Sequence, residues 1–571
     1  MKILTAAEMG TVDRRTAEEF GVPLGDLMNA AGSAVAAFCL REYPAASRVM
    51  VLCGKGNNGG DGLVAARMLA EAGKAVRVLL LGGAGELKGE AAAALRRLRD
   101  ETSTVAMNEV RDEAALKRCA LGEAELLVDA VVGTGFKPPL RGLAGTLREM
   151  VEELEVPVVA VDLPSGWDAD SMEQEAEGAY RADAVVTFTA PKMAHVFGHL
   201  TRGTFGPVVV AGIGSPEEAI ASSSGLSWTG ASKAVAEKAR GVNANKGKFG
   251  HVLVVGGSWG KAGAPAMASL AAMRTGAGLV TVAVPERLVG IVGGVAPELM
   301  VAPLAENDRA AHDIPPFAQS PQRANTRVGD PDHAKNGAPG SENGTPDSAQ
   351  GVSLENLEGE RFEALMKGIK VLAVGPGLGT EGDASEFARR LVAKTTVPVV
   401  IDADALNAFA GKTELLKGTG RVMVLTPHPG EMGRLAGLTV KEVEADRVGL
   451  ARRFATEHKV TLVLKGWRTL VAHPDGSIAV NTTGNPSMAK GGSGDILTGI
   501  VAAMLAQFSD DVARAVEAAV YLHGLAGDFA AHVMDEHTVL ATDTVTHLSD
   551  AFRYRVRDED GLVWVCGLRR G

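Results

Sequence analysis

The chain has 571 residues, more than a single hydrophobic core organises, so its length predicts two domains. Hydrophobic residues make up 46% and charged residues 22%, the balance of an ordinary soluble globular protein. The formal net charge of -11 argues against nucleic acid or an anionic membrane as a partner. The four cysteines lack the spacing of a zinc site, and no run of eighteen apolar residues occurs, so a cytoplasmic protein is expected.

The first half of the chain alternates predicted helices and strands. Apolar residues at helical spacing predict two helices between Thr5 and Cys39, separated at residues 21–23. Buried strands are predicted at residues 48–53, 76–81, 126–132, 156–162, 184–187 and 208–210. This alternation predicts a parallel α/β sheet whose ligands sit beyond the carboxyl ends of the strands.

Three loops at those strand ends carry polar groups. They read GKGNNGGDG at residues 54–62, DAVVGTGFKPPLRG at 129–142 and VDLPSG at 161–166. The first precedes a predicted helix and places backbone donors beneath a ligand. Asp129 and Asp162 each end a strand, where a helix cap or a structural hydrogen bond would explain either one alone. Together with Asn58 and Ser165 they supply oxygen ligands suited to a monovalent or divalent cation.

The second half of the chain begins a new α/β unit after a loose Ser/Gly/Ala segment near residue 220. Strands are predicted at residues 251–256 and 279–285, and the sheet is predicted to resume within residues 371–379, 397–407, 422–431 and 461–471. Residues 305–359 are rich in Asp, Asn, Pro, Gly, Ser and Gln, and we interpret them as a disordered surface insertion. The predicted domains are residues 1–220 and 221–545, and residues 546–571 form a tail without a clear signal.

The stretch NPSMAKGGSGDILTGI, residues 485–500, carries the strongest chemical signal. Its glycine-rich turn leads directly into an apolar helix, so backbone N–H groups converge beside the carboxylate of Asp495. Such a turn suits a phosphate-bearing ligand next to a general acid or base. A glycine loop capped by an aspartate is the alternative interpretation.

Several motifs resemble known families in order and spacing. GGSWGKAGAP, GPGLG, TPHPGE, KGWRT and NPSMAKGGSGDILTG resemble the ADP-dependent NAD(P)H-hydrate dehydratases, which have a ribokinase-like fold. GNNGGDG, DAVVGTGF and VDLPSG resemble the NAD(P)H-hydrate epimerases. Fused in this order, the halves resemble a bifunctional enzyme that repairs hydrated NADH and NADPH. The resemblance implies two three-layer αβα domains, the first with a Rossmann-like parallel sheet and the second with a ribokinase-like sheet.

The resemblance also implies activities, small-molecule ligands and site residues. The epimerase half would interconvert the R and S hydrates, and the dehydratase half would dehydrate the S epimer while converting ADP to AMP and phosphate. The epimerase would bind the hydrate through Asn57, Asn58, Gly59, Gly60, Asp61, Gly133, Thr134, Gly135, Phe136, Lys137, Pro138, Pro139 and Asp162, and K+ through Asn58, Asp129 and Ser165. The dehydratase would bind the hydrate through Ala264, Gly377, His428 and Asp495, and ADP or AMP through Lys465, Gly466, Trp467, Arg468, Thr469 and Gly494, with Mg2+ as cofactor.

Asp162 and Asp495 are the predicted catalytic residues. Asp162 faces the expected ligand and is not one of the proposed cation ligands, so its carboxylate is free to act as acid or base. Asp495 occupies the place of the catalytic base in sugar kinases. Lys137 could equally be solvated, and His428 could simply bond to backbone. A homo-oligomer is expected.

Two other functions fit part of this pattern. A small-molecule kinase, for example one acting on a vitamin alcohol, would use the same GGSGD turn, but it would not need the first half. A non-catalytic binding protein would not need Asp162 or Asp495.

Overall fold

The computed structural model describes residues 1–307 and 351–569. These residues form two α/β units, each built around one β-sheet. Within these residues the first sheet has eight strands in the order β18-β7-β6-β5-β4-β1-β2-β3. Its first seven strands along the chain are β1 (Arg48–Cys53), β2 (Ala75–Leu81), β3 (Ala106–Val110), β4 (Leu126–Ala130), β5 (Val158–Val161), β6 (Ala184–Phe188) and β7 (Val208–Ala211). These seven are parallel, and β18 (Val563–Cys566) is antiparallel to β7.

Helices cover both faces of the first sheet. They are α1 (Ala6–Glu18), α2 (Leu24–Glu42), α3 (Asn57–Glu71), α4 (Gly89–Glu101), α5 (Glu113–Lys117), α6 (Leu143–Glu152) and α7 (Met193–Phe197). Alternate residues of β1 belong to different cores: Val49 and Val51 pack with the α2–α4 side, whereas Met50 and Leu52 pack with the opposite side. A strand buried on both faces is continuously apolar, as the sequence of β1 is.

The second sheet has ten strands within the described residues, in the order β11-β10-β9-β12-β13-β14-β15-β16-β17-β8. They are β8 (Leu226–Trp228), β9 (His251–Val255), β10 (Leu279–Pro285), β11 (Met300–Leu304), β12 (Val371–Val374), β13 (Val399–Ile401), β14 (Met423–Leu425), β15 (Thr461–Leu464), β16 (Leu470–Ala472) and β17 (Ile478–Val480). β16 is antiparallel to both of its neighbours, and the other pairs are parallel.

The helices of the second unit complete a second αβα arrangement. They are α8 (Gly263–Thr275), α9 (Val289–Gly293), α10 (Gly359–Met366), α11 (Ala384–Lys394), α12 (Ala403–Asn407), α13 (Pro429–Ala436), α14 (Val440–Ala445), α15 (Arg447–His458), α16 (Ser493–Gln507), α17 (Val512–Val533), α18 (Ala541–Thr546) and α19 (Leu548–Arg553). The predicted fold class, two α/β units with mostly parallel sheets, is confirmed.

The flanks of the predicted insertion differ from the prediction. Glu306 bridges Val352, the Asn307 N–H donates to the Gly351 carbonyl at 3.1 Å, and Leu357 is buried. These apolar and paired residues pack on the second unit, so the prediction of disorder for residues 305–359 is too wide at both ends. Residues 308–350 lie outside the described residues.

The last residues of the chain return to the first sheet. β18 extends the edge of that sheet beside β7, and Trp564 in this strand is 2% exposed. Arg41 of α2 contacts Asp558 and Asp560 just before the strand. Within the predicted tail, residues 558–566 therefore help to build the first unit, whereas α19 packs on α17 of the second.

Candidate active sites

The first candidate site lies where the strand order of the first sheet reverses. β1 pairs with β2 on one side and β4 on the other, so the segments that follow β1 and β4 diverge and form a crevice. Residues 57–61 form the first turn of α3 rather than a free loop, and residues 133–139 follow β4. A Cβ on Gly133 would lie 2.8 Å from the Asn58 Oδ1 atom, so these two predicted segments touch.

Asp162 is the most constrained residue of this crevice. Its φ is 64°, a left-handed value that few residues other than glycine, asparagine and aspartate adopt. Its carboxylate accepts hydrogen bonds from the Thr134 N–H at 3.1 Å, the Thr134 hydroxyl and the Thr187 hydroxyl at 2.8 Å. Burial alone would raise the pKa of Asp162, but the Lys192 ammonium at 2.8 Å holds that pKa below its usual range. The carboxylate is therefore ionised.

Sequence reasoning did not find Lys192 or His195. Lys192 is 1% exposed and bonds both Asp162 and the Thr187 hydroxyl, and His195 Nε2 lies 2.6 Å from the Asp162 carbonyl oxygen. Both residues follow β6, the strand next to β5, at the same carboxyl edge of the sheet. The strand order would have indicated them, but the sequence does not reveal that β6 neighbours β5.

Two of the predicted cation ligands, Asp129 and Ser165, contact each other, and the third, Asn58, lies beside Gly133. Asp129 is fully buried and accepts from the Ser165 N–H at 2.7 Å and the Ser165 hydroxyl at 2.6 Å. Burial raises the pKa of Asp129 to about 6 despite these bonds. Within residues 1–307 and 351–569 no lysine or arginine forms an ion pair with Asp129, and the Asn58 Nδ2 atom is buried without a hydrogen bond. A buried carboxylate among oxygen atoms fits a hard cation.

Two other predicted residues occupy different surroundings. Burial and the nearby charges of Asp162 and Asp13 raise the pKa of Asp61, which favours its neutral form. Lys137 is largely exposed and pairs with Asp168 at 2.6 Å and Asp170 at 3.1 Å at the rim of the crevice.

The second candidate site surrounds the N-terminus of α16. Asp495 lies in the first turn of this helix, after Gly492, whose φ of 97° only glycine adopts readily. Burial, followed by the charge of Asp402, raises the pKa of Asp495 to about 7. A carboxylate with a pKa near neutrality is well suited to exchange a proton with a bound hydroxyl.

Lys465 provides the cation of this site. Its ammonium lies 3.1 Å from Asp402 and 3.8 Å from Glu431, and a Cβ on Gly494 would lie 3.2 Å from it. Asp402 also accepts from the hydroxyls of Thr426 and Thr498, each at 2.8 Å. The structure therefore brings the predicted residues Lys465 and Gly494 together beside Asp495.

Sequence reasoning missed Asp402. The residue directly follows β13 in the segment VIDADALN, where a carboxylate at a strand end was a usable signal.

The four residues predicted to bind the hydrate lie on four separate segments: Ala264 at the start of α8, Gly377 after β12, His428 at the N-cap of α13 and Asp495 in α16. Gly377 has a φ of 63°, and a Cβ there would lie 3.1 Å from the Ala264 Cβ, so these two residues are neighbours. The His428 ring caps α13 by accepting from the Gly430 N–H at 3.0 Å, and its Nε2 atom lies 3.5 Å from Glu431. The alternative for His428, a hydrogen bond to the backbone, is therefore present at Nδ1. The ring is half-exposed, and its Nε2 atom is not used in this cap.

Trp467 and Arg468 contact the first unit. The Trp467 indole N–H donates to the Phe197 carbonyl at 2.8 Å, and Arg468 donates to the Gly198 carbonyl at 3.1 Å. The Thr469 hydroxyl donates to the Gly466 carbonyl within the same loop. Their assignment to ADP or AMP binding stays a prediction.

Within residues 1–307 and 351–569, no group of three or more His, Cys, Asp or Glu side chains is arranged to hold a metal ion. Mg2+ usually binds through one or two carboxylates together with substrate phosphates, so the Asp402 and Glu431 carboxylates fit such a partial site. No helix in residues 1–307 or 351–569 is both long and apolar enough to cross a bilayer.

The fold defines an α/β protein of two units, with a candidate site at the carboxyl edge of each sheet. The family model "YjeF-related protein N-terminus" matches residues 24–194, and the model "NAD(P)H-hydrate dehydratase" matches residues 252–319 and 346–552. A bifunctional NAD(P)H-hydrate repair enzyme Nnr of Moorella thermoacetica is 37% identical over the whole of both chains. The chain belongs to the family of bifunctional NAD(P)H-hydrate repair enzymes.

Other relatives extend this comparison. The enzyme of the same name from Coxiella burnetii is 34% identical over 94% of this chain and 96% of its own. A solved structure of an ADP/ATP-dependent NAD(P)H-hydrate dehydratase from Bacillus subtilis, crystallised with ATP and Mg2+, is 27% identical. It covers 56% of this chain and 96% of its own, with a TM-score of 0.44.

Proposed function

We propose that this chain repairs hydrated NADH and NADPH by two reactions on one polypeptide. The first unit interconverts the R and S hydrates, and the second dehydrates the S hydrate with ADP as co-substrate. Family membership supports the pair of reactions, and the observation that carries the second is Asp495, a carboxylate with a pKa of about 7 at a helix N-terminus beside Lys465.

In the dehydration, Asp495 accepts the proton of the substrate hydroxyl. The hydroxyl oxygen then takes the terminal phosphoryl group of ADP, and the bond between that phosphorus and AMP breaks. The carbon–oxygen bond of the phosphorylated hydrate breaks next, phosphate leaves, and loss of a proton from the adjacent ring carbon restores the double bond. Lys465 and the N–H groups of α16 stabilise the phosphate charge throughout. Asp402 and Glu431 would hold Mg2+, whose charge would help to neutralise the phosphates.

In the epimerisation, Asp162 and Lys192 act as a pair. The ionised carboxylate accepts the proton of the epimerised carbon, and that carbon takes a proton back from water on its opposite face, which inverts its configuration. The buried ammonium beside the carboxylate stabilises the negative charge that develops in between. Asn58, Asp129 and Ser165 would hold K+, whose charge would offset the buried Asp129 carboxylate and fix the loop that carries Asp162.

One incubation tests the proposal. The pure protein is mixed with R and S NADH hydrate, with and without ADP, and recovery of absorbance from the reduced ring is followed. Both epimers should be recovered with ADP, and without ADP they should only interconvert. Failure to recover with ADP would remove the dehydratase assignment, and ATP-dependent phosphorylation of a vitamin alcohol instead would indicate the kinase alternative.

The other parts of the proposal need separate measurements. Replacement of K+ by a larger organic cation should slow epimerisation, and chelation of Mg2+ should slow dehydration. The homo-oligomer and the cytoplasmic location also stay predictions, and sedimentation velocity tests the former.

A further inference from the structure

The short helix α7 of the first unit carries residues that contact Asp162, and its C-terminal end contacts the second unit. Its N-cap residue is Lys192, the cation paired with Asp162, and its third residue is His195, which contacts the Asp162 carbonyl. Five residues is too short for a helix to hold its own position without tertiary contacts. The placement of Lys192 therefore depends on what α7 packs against.

The last carbonyl groups of α7 face the second unit. Helix C-terminal carbonyls have no partner within the helix, and a donor or a cation must satisfy them from outside. Here the Trp467 indole N–H bonds the Phe197 carbonyl, and the Arg468 guanidinium bonds the Gly198 carbonyl. The same guanidinium lies 4.3 Å from the centre of the Trp467 ring, so the two side chains form one rigid contact.

Arg468 makes this contact with an unfavourable backbone conformation and with one buried nitrogen that has no hydrogen bond. Arg468 has a φ of 54°, which is unfavourable for an arginine, and its Nε atom is buried without a hydrogen bond. Its other terminal nitrogen donates to the Thr482 carbonyl at 2.7 Å, which anchors the side chain to the segment after β17. A strained backbone that presents a guanidinium to another domain is consistent with a role there.

We propose that Trp467 and Arg468 are positioning residues for the epimerase reaction, acting through α7 on Lys192 and Asp162. The inference rests on the proposed epimerase function of the first unit. It gives these two residues a role in the first reaction, although both stand in the motif that the resemblance assigns to ADP in the second.

The test measures interconversion of R and S hydrate without ADP in the full-length chain. Arg468→Ala releases the end of α7, and kcat for epimerisation should fall on the order of tenfold, because small displacements of catalytic groups have effects of that size or greater. With Lys192 farther away, the pKa of Asp162 should rise, so the acid limb of the pH–rate profile should move to higher pH. Arg468→Lys, which keeps one donor and the charge, should recover part of the rate.

A matched control removes the same kind of bond elsewhere. Arg452 donates to the carbonyls of Gly476 at 3.0 Å and Ser224 at 2.7 Å, the second in the segment between the units, and it does not contact α7. Arg452→Ala should leave the epimerisation rate and its pH profile unchanged. Trp467→Phe keeps an aromatic ring but loses the indole N–H that bonds Phe197, and it provides a milder second variant that should shift the pH–rate profile in the same direction.

The outcomes separate the two claims. If the parent chain does not interconvert the epimers, the proposed epimerase function is wrong. If the parent is active and Arg468→Ala and Trp467→Phe match it in rate and pH profile, the positioning role is wrong. An equal loss of rate at every pH in Arg468→Ala, shared by Arg452→Ala, would indicate general destabilisation and would also overturn it.

Discussion

Asp495 combines two features that usually oppose each other. The N-terminus of α16 stabilises negative charge, whereas burial and the Asp402 carboxylate favour the neutral form and raise the pKa of Asp495 to about 7. The balance leaves both protonation states populated at neutral pH, as proton transfer requires.

Asp495→Asn should therefore slow dehydration by about a hundred- to ten-thousand-fold, the usual contribution of a general base. ADP binding should change much less, because Lys465 and backbone N–H groups hold the phosphates. Single-turnover recovery of the reduced ring and calorimetric titration with ADP measure the two effects. A variant that dehydrates at the parent rate would make Asp495 a structural helix cap.

The pH dependence of dehydration should follow the Asp495 carboxylate. The base is active when ionised, so kcat/KM should fall as pH drops below about 7. Asp402→Asn removes the like charge that raises the Asp495 pKa, so the acid limb should move to lower pH. Thr498→Val removes one hydrogen bond to Asp402 but keeps its charge and serves as the control. A shift to higher pH in Asp402→Asn would contradict this electrostatic account.

At the scale of elements, β18 makes the first unit depend on the last residues of the chain. Trp564→Ala should destabilise that unit by about 3–5 kcal/mol, because the side chain is 2% exposed and its N–H bonds Asp558. Loss of epimerisation should occur at lower urea concentration than in the parent. Trp259→Ala, at a tryptophan that is 71% exposed, should shift the urea midpoint little. Equal midpoints for parent and Trp564→Ala would show that β18 contributes no stability.

The segment between β11 and α10 gives a second prediction at this scale. Because Asn307 and Gly351 are hydrogen-bonded, these two residues, which flank residues 308–350, lie close together, and a short glycine-containing turn can join them. Deleting residues 308–350 in this way should leave both activities intact. A deletion that extends through residue 353 should lower the soluble yield, since Val352 is buried and Ser353 caps the following turn. Loss of either activity in the shorter deletion would contradict the prediction.

Over the whole molecule, the sequence predicted those features that residues close together in the chain determine, such as an apolar strand or a glycine-rich turn. The apolar run of β1 gave its bounds, Arg48–Cys53, and the turn before α16 indicated Asp495. The strand β3 was missed because most of its residues are exposed at the sheet edge, and no buried pattern marks it. β18 was missed because its partner, β7, lies far earlier in the chain.

The two charged residues that were missed at the sites differ in how far the sequence could have indicated them. Lys192 is defined by its charge partner, Asp162, which the fold brings close. Asp402 follows a strand and could have been found from that position, although its pairing with Lys465 depends on the fold. A polar residue at the end of a strand can be recognised from its own segment of the sequence. A pair of residues that follow neighbouring strands can be recognised only when the order of the strands in the sheet is known.

Asp162→Asn tests whether the two sites work independently. Asparagine is nearly isosteric and tolerates the left-handed φ of 64°, so the substitution removes charge without forcing the backbone to change. Lys192 then loses its ionic partner in a buried site, and epimerisation should fall by about a hundredfold or more. Dehydration of purified S hydrate should continue at the parent rate, because Asp495 and Lys465 belong to the other sheet. Stopped-flow recovery of S hydrate with ADP, compared with recovery of R hydrate under the same conditions, measures both effects. Equal loss of the two reactions would mean that the sheets do not carry separate sites, and the assignment of one activity to each unit would be wrong.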